Sequence, residues 1–224
     1  MKKILITGGA GYIGSMLSTE LVKLRHKVTV IDDLRYSENS INHLHFFENF
    51  KFIKGDARNK KLINNYLKKN EIIIPLAGLV GAPLCEKNKK EAIDVNLKCV
   101  KHILSIVKKH QKIIYMNTNS GYGIGAKNKF CDENSPLNPI SLYGRTKVDA
   151  EKEIVKFKNS VCFRLATVFG YSYRMRSDLI VNFMTKKAIK EGNLSIFEPK
   201  FRRNFIHVRD VVNGILFAIQ NFNL

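Results

Sequence analysis

A glycine-rich turn close to the N-terminus constrains the fold of this chain more than any other feature. Lys3 to Ile6 is a short apolar run suited to a buried strand, and Tyr12 to Leu24 carries apolar residues at helical spacing. Between them lies Thr7-Gly8-Gly9-Ala10-Gly11-Tyr12-Ile13-Gly14. A strand that turns on glycines directly into a helix aims backbone N–H groups and the positive helix end at one point. Such a point suits an anion, a pyrophosphate above all. Three spaced glycines recur by chance, but the flanking strand and helix are the context the mechanism requires.

The second strand adds to this. Lys27 to Ile31 is β-rich and ends in Asp32-Asp33. A carboxylate at that strand end suits the hydroxyls of an adenosine ribose and repels an additional phosphate, which favours NAD over NADP. The plainer alternative is that the two aspartates open a solvated loop.

Strand and helix patterns alternate along the rest of the chain. Strands are expected at 3–7, 27–32, 50–54, 71–76, 112–117 and 160–166. Helices are expected at 12–24, 40–48, 59–69, 86–109, 143–158, 177–191 and 208–220. This alternation, with largely apolar strands, predicts an α/β fold: a doubly wound parallel (Rossmann) sheet under right-handed crossovers. Residues 1–170 would form the NAD-binding domain. Residues 171–224 would begin a smaller substrate lobe, interleaved with the last strand and helix of the sheet. Ligands of such sheets sit beyond the C-terminal strand ends. Gly55-Asp56-Ala57 follows the third strand, where Asp56 could accept from an adenine amino group. Leu76-Ala77-Gly78 follows the fourth, where small residues leave room for a ribose. Each could equally be a strand-ending turn.

Composition narrows the function classes. The chain has 224 residues, and 38 Lys and Arg against 19 Asp and Glu give a formal charge of +19. That excess attracts anions. The basic residues are nevertheless spread along the chain, as in Lys60-Lys61 and Lys108-Lys109, without an arginine-rich tail or aromatic-basic alternation, so nucleic acid is not the expected partner. The apolar stretch from Ile72 to Cys85 is broken by Pro75, Gly78, Gly81 and Pro83, which excludes a membrane span there. The four cysteines lack CxxC or metal-like spacing and read as reduced thiols, with no metal expected. With a strand starting at once and no leader ahead of it, a cytoplasmic location is expected.

Tyr143-Gly144-Arg145-Thr146-Lys147 sets a phenol and an ammonium four residues apart on one helix face. A free phenol has a pKa of about 10, and a neighbouring cation favours its ionised form. The phenol could then take a substrate hydroxyl proton while hydride leaves carbon. Alone this spacing is common, and the helix could as well turn Tyr to the core and Lys to water. Asn117-Thr118-Asn119-Ser120-Gly121-Tyr122-Gly123 follows the fifth strand, where the Thr118 hydroxyl could share the same oxygen. A turn rich in Asn, Ser and Gly accounts for that stretch equally.

Together these residues resemble the extended short-chain dehydrogenase/reductase family, the NAD-dependent nucleotide-sugar epimerases and dehydratases. The resemblance implies NAD binding by Gly8, Gly11, Tyr12, Ile13, Gly14, Asp32, Asp33, Asp56, Ala57, Leu76, Ala77, Gly78 and Asn96, with Tyr143 and Lys147. It implies catalysis by Thr118, Tyr143 and Lys147. It further implies a nucleotide-diphosphate sugar held by Thr118, Asn119, Ser120, Thr167 and Arg203, the last in Phe201-Arg202-Arg203-Asn204-Phe205-Ile206-His207-Val208-Arg209-Asp210. There Arg203 would bind the diphosphate and Asp210 would hold local structure. A homodimer through the helices near 86–109 and 143–158 is implied as well, as is a longer chain that closes the substrate lobe.

The 4,6-dehydratase branch would carry Asp and Glu after the catalytic Thr. Here Asn119 and Ser120 stand there, and neither carries proton chemistry at neutral pH, which disfavours dehydration. Val80-Gly81-Ala82-Pro83-Leu84-Cys85 looks like a branch acting on nucleotide-diphosphate hexoses or heptoses in surface-polysaccharide synthesis, a GDP-manno-heptose 4-oxidoreductase being one candidate. Pro75 departs from the His that relatives often carry there. The expected activity is 4-epimerisation or 4-dehydrogenation/reduction. The alternative is a non-catalytic NAD(H)-binding regulator, which would leave Thr118, Tyr143, Lys147 and Arg203 without a role.

Overall fold

The computed structural model describes residues 1–36, 39–125, 130–197 and 199–222. Its main sheet has six parallel strands: β1 (Lys3–Thr7), β2 (Lys27–Asp32), β3 (Phe50–Lys54), β4 (Ile72–Pro75), β5 (Lys112–Thr118) and β6 (Ser160–Leu165). They lie in the order β3-β2-β1-β4-β5-β6, so the chain reverses direction across the sheet between β1 and β4. That reversal opens the crevice in which such sheets bind ligands.

Alternate residues of each strand feed opposite layers. Ile4, Ile6, Val28, Val30, Ile72 and Ile74 pack under α1 (Tyr12–Lys23) and α8 (Val208–Gln220). Leu5, Ile31, Ile73, Ile113 and Tyr115 pack under α2 (Lys60–Leu67), α5 (Cys99–Ile106) and α6 (Leu142–Ile154). Helices cover both faces, so the central strands β1 and β4 read as nearly continuous buried apolar runs. Each fully buried aliphatic side chain contributes about 1.5–3 kcal/mol before the entropy of ordering is counted.

The expected doubly wound sheet is present, with differences in its helices. The helix expected over 40–48 is absent, and only a single 3-10 turn, Asn42–Leu44, forms there. Ser40 donates to the distant Ala10 carbonyl at 2.8 Å, and Asn42 donates to the Asn39 side chain at 3.1 Å, a local bond of the kind that competes with helix formation. The expected helix 86–109 is broken into α3 (Ala82–Lys87), α4 (Lys89–Ile93), a π-helical turn (Asp94–Lys98) and α5. Asn88, with φ −125° and ψ 55°, interrupts the first two. The helix expected from 177 begins later, as α7 (Ile180–Glu191). A second, two-stranded parallel sheet pairs β7 (Thr167–Phe169) with β8 (Phe205–His207). It brings the late motif back beside the end of β6.

Candidate active site

The turn after β1 is built for close approach. The Gly8 N–H donates to the Ile31 carbonyl at 2.8 Å, and the Gly11 N–H donates to Gly8 at 3.1 Å, which closes the loop. Gly8 has φ +75°, and a Cβ there would stand 2.4 Å from the backbone nitrogen of Ala77. At Gly14 a Cβ would stand 2.3 Å from the Gly8 carbonyl oxygen. Gly11 precedes α1 without any capping side chain, so the first-turn amides face the crevice. Gly8→Ala is therefore expected to combine a left-handed backbone penalty of about 1–2 kcal/mol with overpacking of about 1–3 kcal/mol. A thermal melt together with a dinucleotide titration checks it, and an unchanged melting point would show that the loop has slack.

A pocket lined by Gly8, Gly11, Asp32, Asp33, Asp56 and Gly78, with Ala57, Leu76 and Ala77 beside them, continues from this loop across the sheet. Asp32 is held by two backbone donors, Ala10 N–H at 3.0 Å and Leu34 N–H at 2.8 Å. Burial pushes its carboxyl up from the usual range, and these two bonds act against that. Asp33 pairs with Arg35, which also reaches Glu91 at 2.7 Å. Asp56 is held below its ordinary value, chiefly by the Arg58 guanidinium. The residues fit a dinucleotide: glycines that a Cβ would block, uncapped amides for the phosphates, and carboxylates at the ribose and adenine ends.

The side chains of two expected cofactor residues also brace the walls. The Tyr12 hydroxyl donates to the Gly170 carbonyl at 2.6 Å, which ties α1 to the segment after β7. Asn96, on the π-helical turn, accepts from the Leu79 N–H and donates to the Leu79 carbonyl, both at 2.9 Å. Its amide thus braces the loop after β4 from behind. Ile13 packs against the core cluster beneath α1. π-Turns often mark functional sites, and this one braces the loop after β4.

The expected catalytic residues lie on β5 and α6, which pack together. Ser141 caps α6 by accepting from the Gly144 N–H at 3.0 Å, which sets Tyr143 and Lys147 in its first two turns. Thr118 ends β5, and its side chain acts on the Tyr143 phenol in the direction that favours phenolate. Tyr143, Leu142 and Ala77 pack against a small cluster holding Cys85, whose buried thiol donates to the Leu79 carbonyl at 3.4 Å. Cys85 is therefore a wall residue close to Tyr143. The expected lowering of the phenol by Lys147 is not found. Burial pushes Tyr143 up to about 12, and the groups acting against it are Thr118 and Arg176. Burial likewise brings Lys147 down to about 7. Its ammonium lies over the ring of Tyr115, 4.1 Å from the centroid.

Residues 4–224 match the NAD dependent epimerase/dehydratase family. The chain belongs to that family. A Bacillus subtilis protein described as an uncharacterized UDP-glucose epimerase, YtcB, is 31% identical over 95% of this chain and 71% of its own length. A dTDP-D-glucose 4,6-dehydratase of Dictyostelium discoideum is 29% identical over 96% of this chain and 54% of its own. Among solved structures, a UDP-glucuronic acid 4-epimerase variant from Bacillus cereus, in complex with a fluorinated UDP-glucuronic acid and NAD, superposes with a TM-score of 0.84. It is 28% identical, over 97% of this chain and 73% of that one.

Among the residues expected to hold substrate in this member of the epimerase/dehydratase family, Asn119 donates to the Asn204 side chain at 2.7 Å. That bond links the loop after β5 to the coil before β8. Thr118 and Ser120 are joined through their hydroxyls at 3.2 Å. Thr167 opens β7, and Arg203 is exposed in the coil beside Asn204. Sequence reasoning missed Arg176, Asn204 and a buried network in which Arg164 on β6 binds Glu151 on α6 at 2.6 Å. A signal for the last was present: Arg164 is a charge within the otherwise apolar run Val161-Cys162-Phe163-Arg164-Leu165. Among the described residues, no His, Cys, Asp and Glu are grouped to hold a metal, and no helix is long and apolar enough to cross a membrane.

Proposed function

We propose that this chain oxidises and reduces carbon 4 of a nucleotide-diphosphate sugar with NAD, as a 4-epimerase or 4-dehydrogenase/reductase of surface-polysaccharide sugar synthesis in the cytoplasm. The observation that supports the reading most is that Tyr143, which shares the start of α6 with Lys147, packs against the cluster of Leu79 and Val95 that also lines the pocket fitted to a dinucleotide, with Thr118 at the end of β5. Uridine-diphosphate sugars, which the names of several relatives carry, are the first substrates to try.

Bound NAD supplies the hydride chemistry. Gly8, Gly11 and Gly14 would take its phosphates, Asp32 its ribose, and Leu76 to Gly78 would flank its inner half. Tyr143 exchanges a proton with the sugar's 4-hydroxyl at its phenol oxygen. At neutral pH the buried phenol keeps its proton, so the resting site is set to give one to a 4-ketone. Thr118 shares the same oxygen and steadies charge on it. Lys147 brings positive charge to the reacting end, and Arg203 would meet the diphosphate. Asn119 and Ser120 offer no group that titrates near neutrality, so elimination of water is not the proposed reaction. The helices α5 and α6 are where a homodimer would form.

The test is a panel of nucleotide sugars with the purified protein, following absorbance of the reduced dinucleotide and product stereochemistry. Epimers without net reduced dinucleotide identify an epimerase, and stoichiometric reduced dinucleotide a dehydrogenase. NAD binding with no turnover across the panel would favour the regulator instead.

A further inference from the structure

Tyr115 stands in β5 beneath α6 and is only 1% exposed. Its hydroxyl is the single buried side-chain oxygen or nitrogen, among the described residues, that lacks a hydrogen-bond partner. A buried phenol ordinarily finds a partner for its O–H. The ring, by contrast, is engaged: the Lys147 ammonium sits over its face at 4.1 Å. No hydrogen bond or ion pair joins Lys147 to another described residue.

Glu151 and Cys162 also favour the ammonium electrostatically, but neither bonds it, and the ring is the group in direct contact. On its own helix, Glu151 is taken up by Arg164, at 2.6 and 2.9 Å, and by the Asn117 amide. Tyr143, also on α6, is pushed up to about 12 and is neutral at working pH. On β6, burial likewise pushes the Cys162 thiol up to about 12. On β5, the face of Tyr115 presents negative charge to it, through its π-electron quadrupole.

We propose that Tyr115 is a positioning residue: its ring face, and not its hydroxyl, holds the Lys147 ammonium in place and favours its charged form against burial. The consequence for turnover rests on the function proposed above, whereas the placement of Lys147 does not. Burial alone disfavours the ammonium, and an aromatic face offsets part of that cost. Tyr115 is too enclosed to swing away, so the ammonium is supported whether or not a ribose is present to bind it.

The experiment keeps shape constant and varies only the quadrupole. Position 115 is changed to Phe and then to mono-, di- and trifluorinated phenylalanine in the full chain. Lys147 is titrated by NMR of its 13C-labelled ε-carbon, assigned with Lys147→Met. Tyr115→Phe is expected to leave the midpoint in place and the melting point unchanged or raised, since it removes an unpaired hydroxyl. Trifluorination is expected to lower the midpoint by roughly one pH unit, with intermediate steps between. A midpoint that stays level along the fluorine series, or that already falls with Phe, would overturn the proposal. In parallel, the alkaline limb of sugar turnover should move down with that midpoint. Absence of turnover in the unaltered protein would defeat the proposed function, and the NMR series would still decide the role of Tyr115.

Discussion

Replacing Tyr143 by Phe is expected to lower turnover of a nucleotide-diphosphate sugar by about 10²- to 10⁴-fold, the range that a positioned proton donor supplies. Dinucleotide affinity and melting point should change little. The substitution removes one oxygen and retains the ring, which packs beside Cys85, Ala77 and Leu142. It also strands no partner, because Thr118 retains Ser120, with hydroxyl oxygens 3.2 Å apart. The loss should fall mainly on the chemical step, so kcat and kcat/KM drop together while KM holds. Thr118→Val should cost less, since Thr118 assists the oxygen that Tyr143 serves. The double variant should be scarcely worse than Tyr143→Phe, as is usual for groups acting as a unit. Single-turnover kinetics with tightly bound dinucleotide would measure all three. Unchanged turnover in Tyr143→Phe would remove the assigned role.

The parts of this site that repeat a local mechanism were legible in the sequence. Glycines between a strand and a helix, an acid at the next strand end, and Tyr and Lys one helical turn apart each declare their geometry within a few residues. What stayed hidden depends on partners far apart in the chain. Nothing near Asn96 indicates that its amide is claimed by Leu79, or that the backbone widens into a π-turn to deliver it. The pairing of β7 with β8 joins residues 167–169 to 205–207, and three-residue strands carry too little periodicity to be seen. Charge at the site was misread for a related reason. Spacing places Lys147 near Tyr143, but burial decides the phenol's affinity for its proton, and burial is set by the packing of β5, α3 and the loop after β4 around it.

The largest stability effect is expected away from the reacting atoms, at Glu151. Its side chain is 6% exposed and that of its partner Arg164 is 18% exposed, so the pair is largely desolvated. Glu151→Ala would leave the guanidinium with only the Tyr122 hydroxyl at 3.2 Å and the Glu133 carbonyl at 3.0 Å. Breaking one side of such a pair costs about 3–5 kcal/mol, because the remaining charge stays buried. For a chain of this size that is a fall of roughly 6–20 °C in melting point, which calorimetry or urea unfolding would measure. Removing both charges, as in Glu151→Leu with Arg164→Met, should restore most of the stability, since a packed apolar pair is often as stable as the ion pair it replaces. Turnover should not return with it. Glu151 also accepts from the Asn117 amide, and Asn117 in turn accepts from the Thr118 N–H at 2.8 Å. Without the carboxylate the Asn117 side chain loses the contact that fixes its orientation, and Thr118 loses its tether to α6. A double variant that melts normally yet turns over poorly would separate the two roles of Glu151. One that recovers both would reduce the network to packing alone.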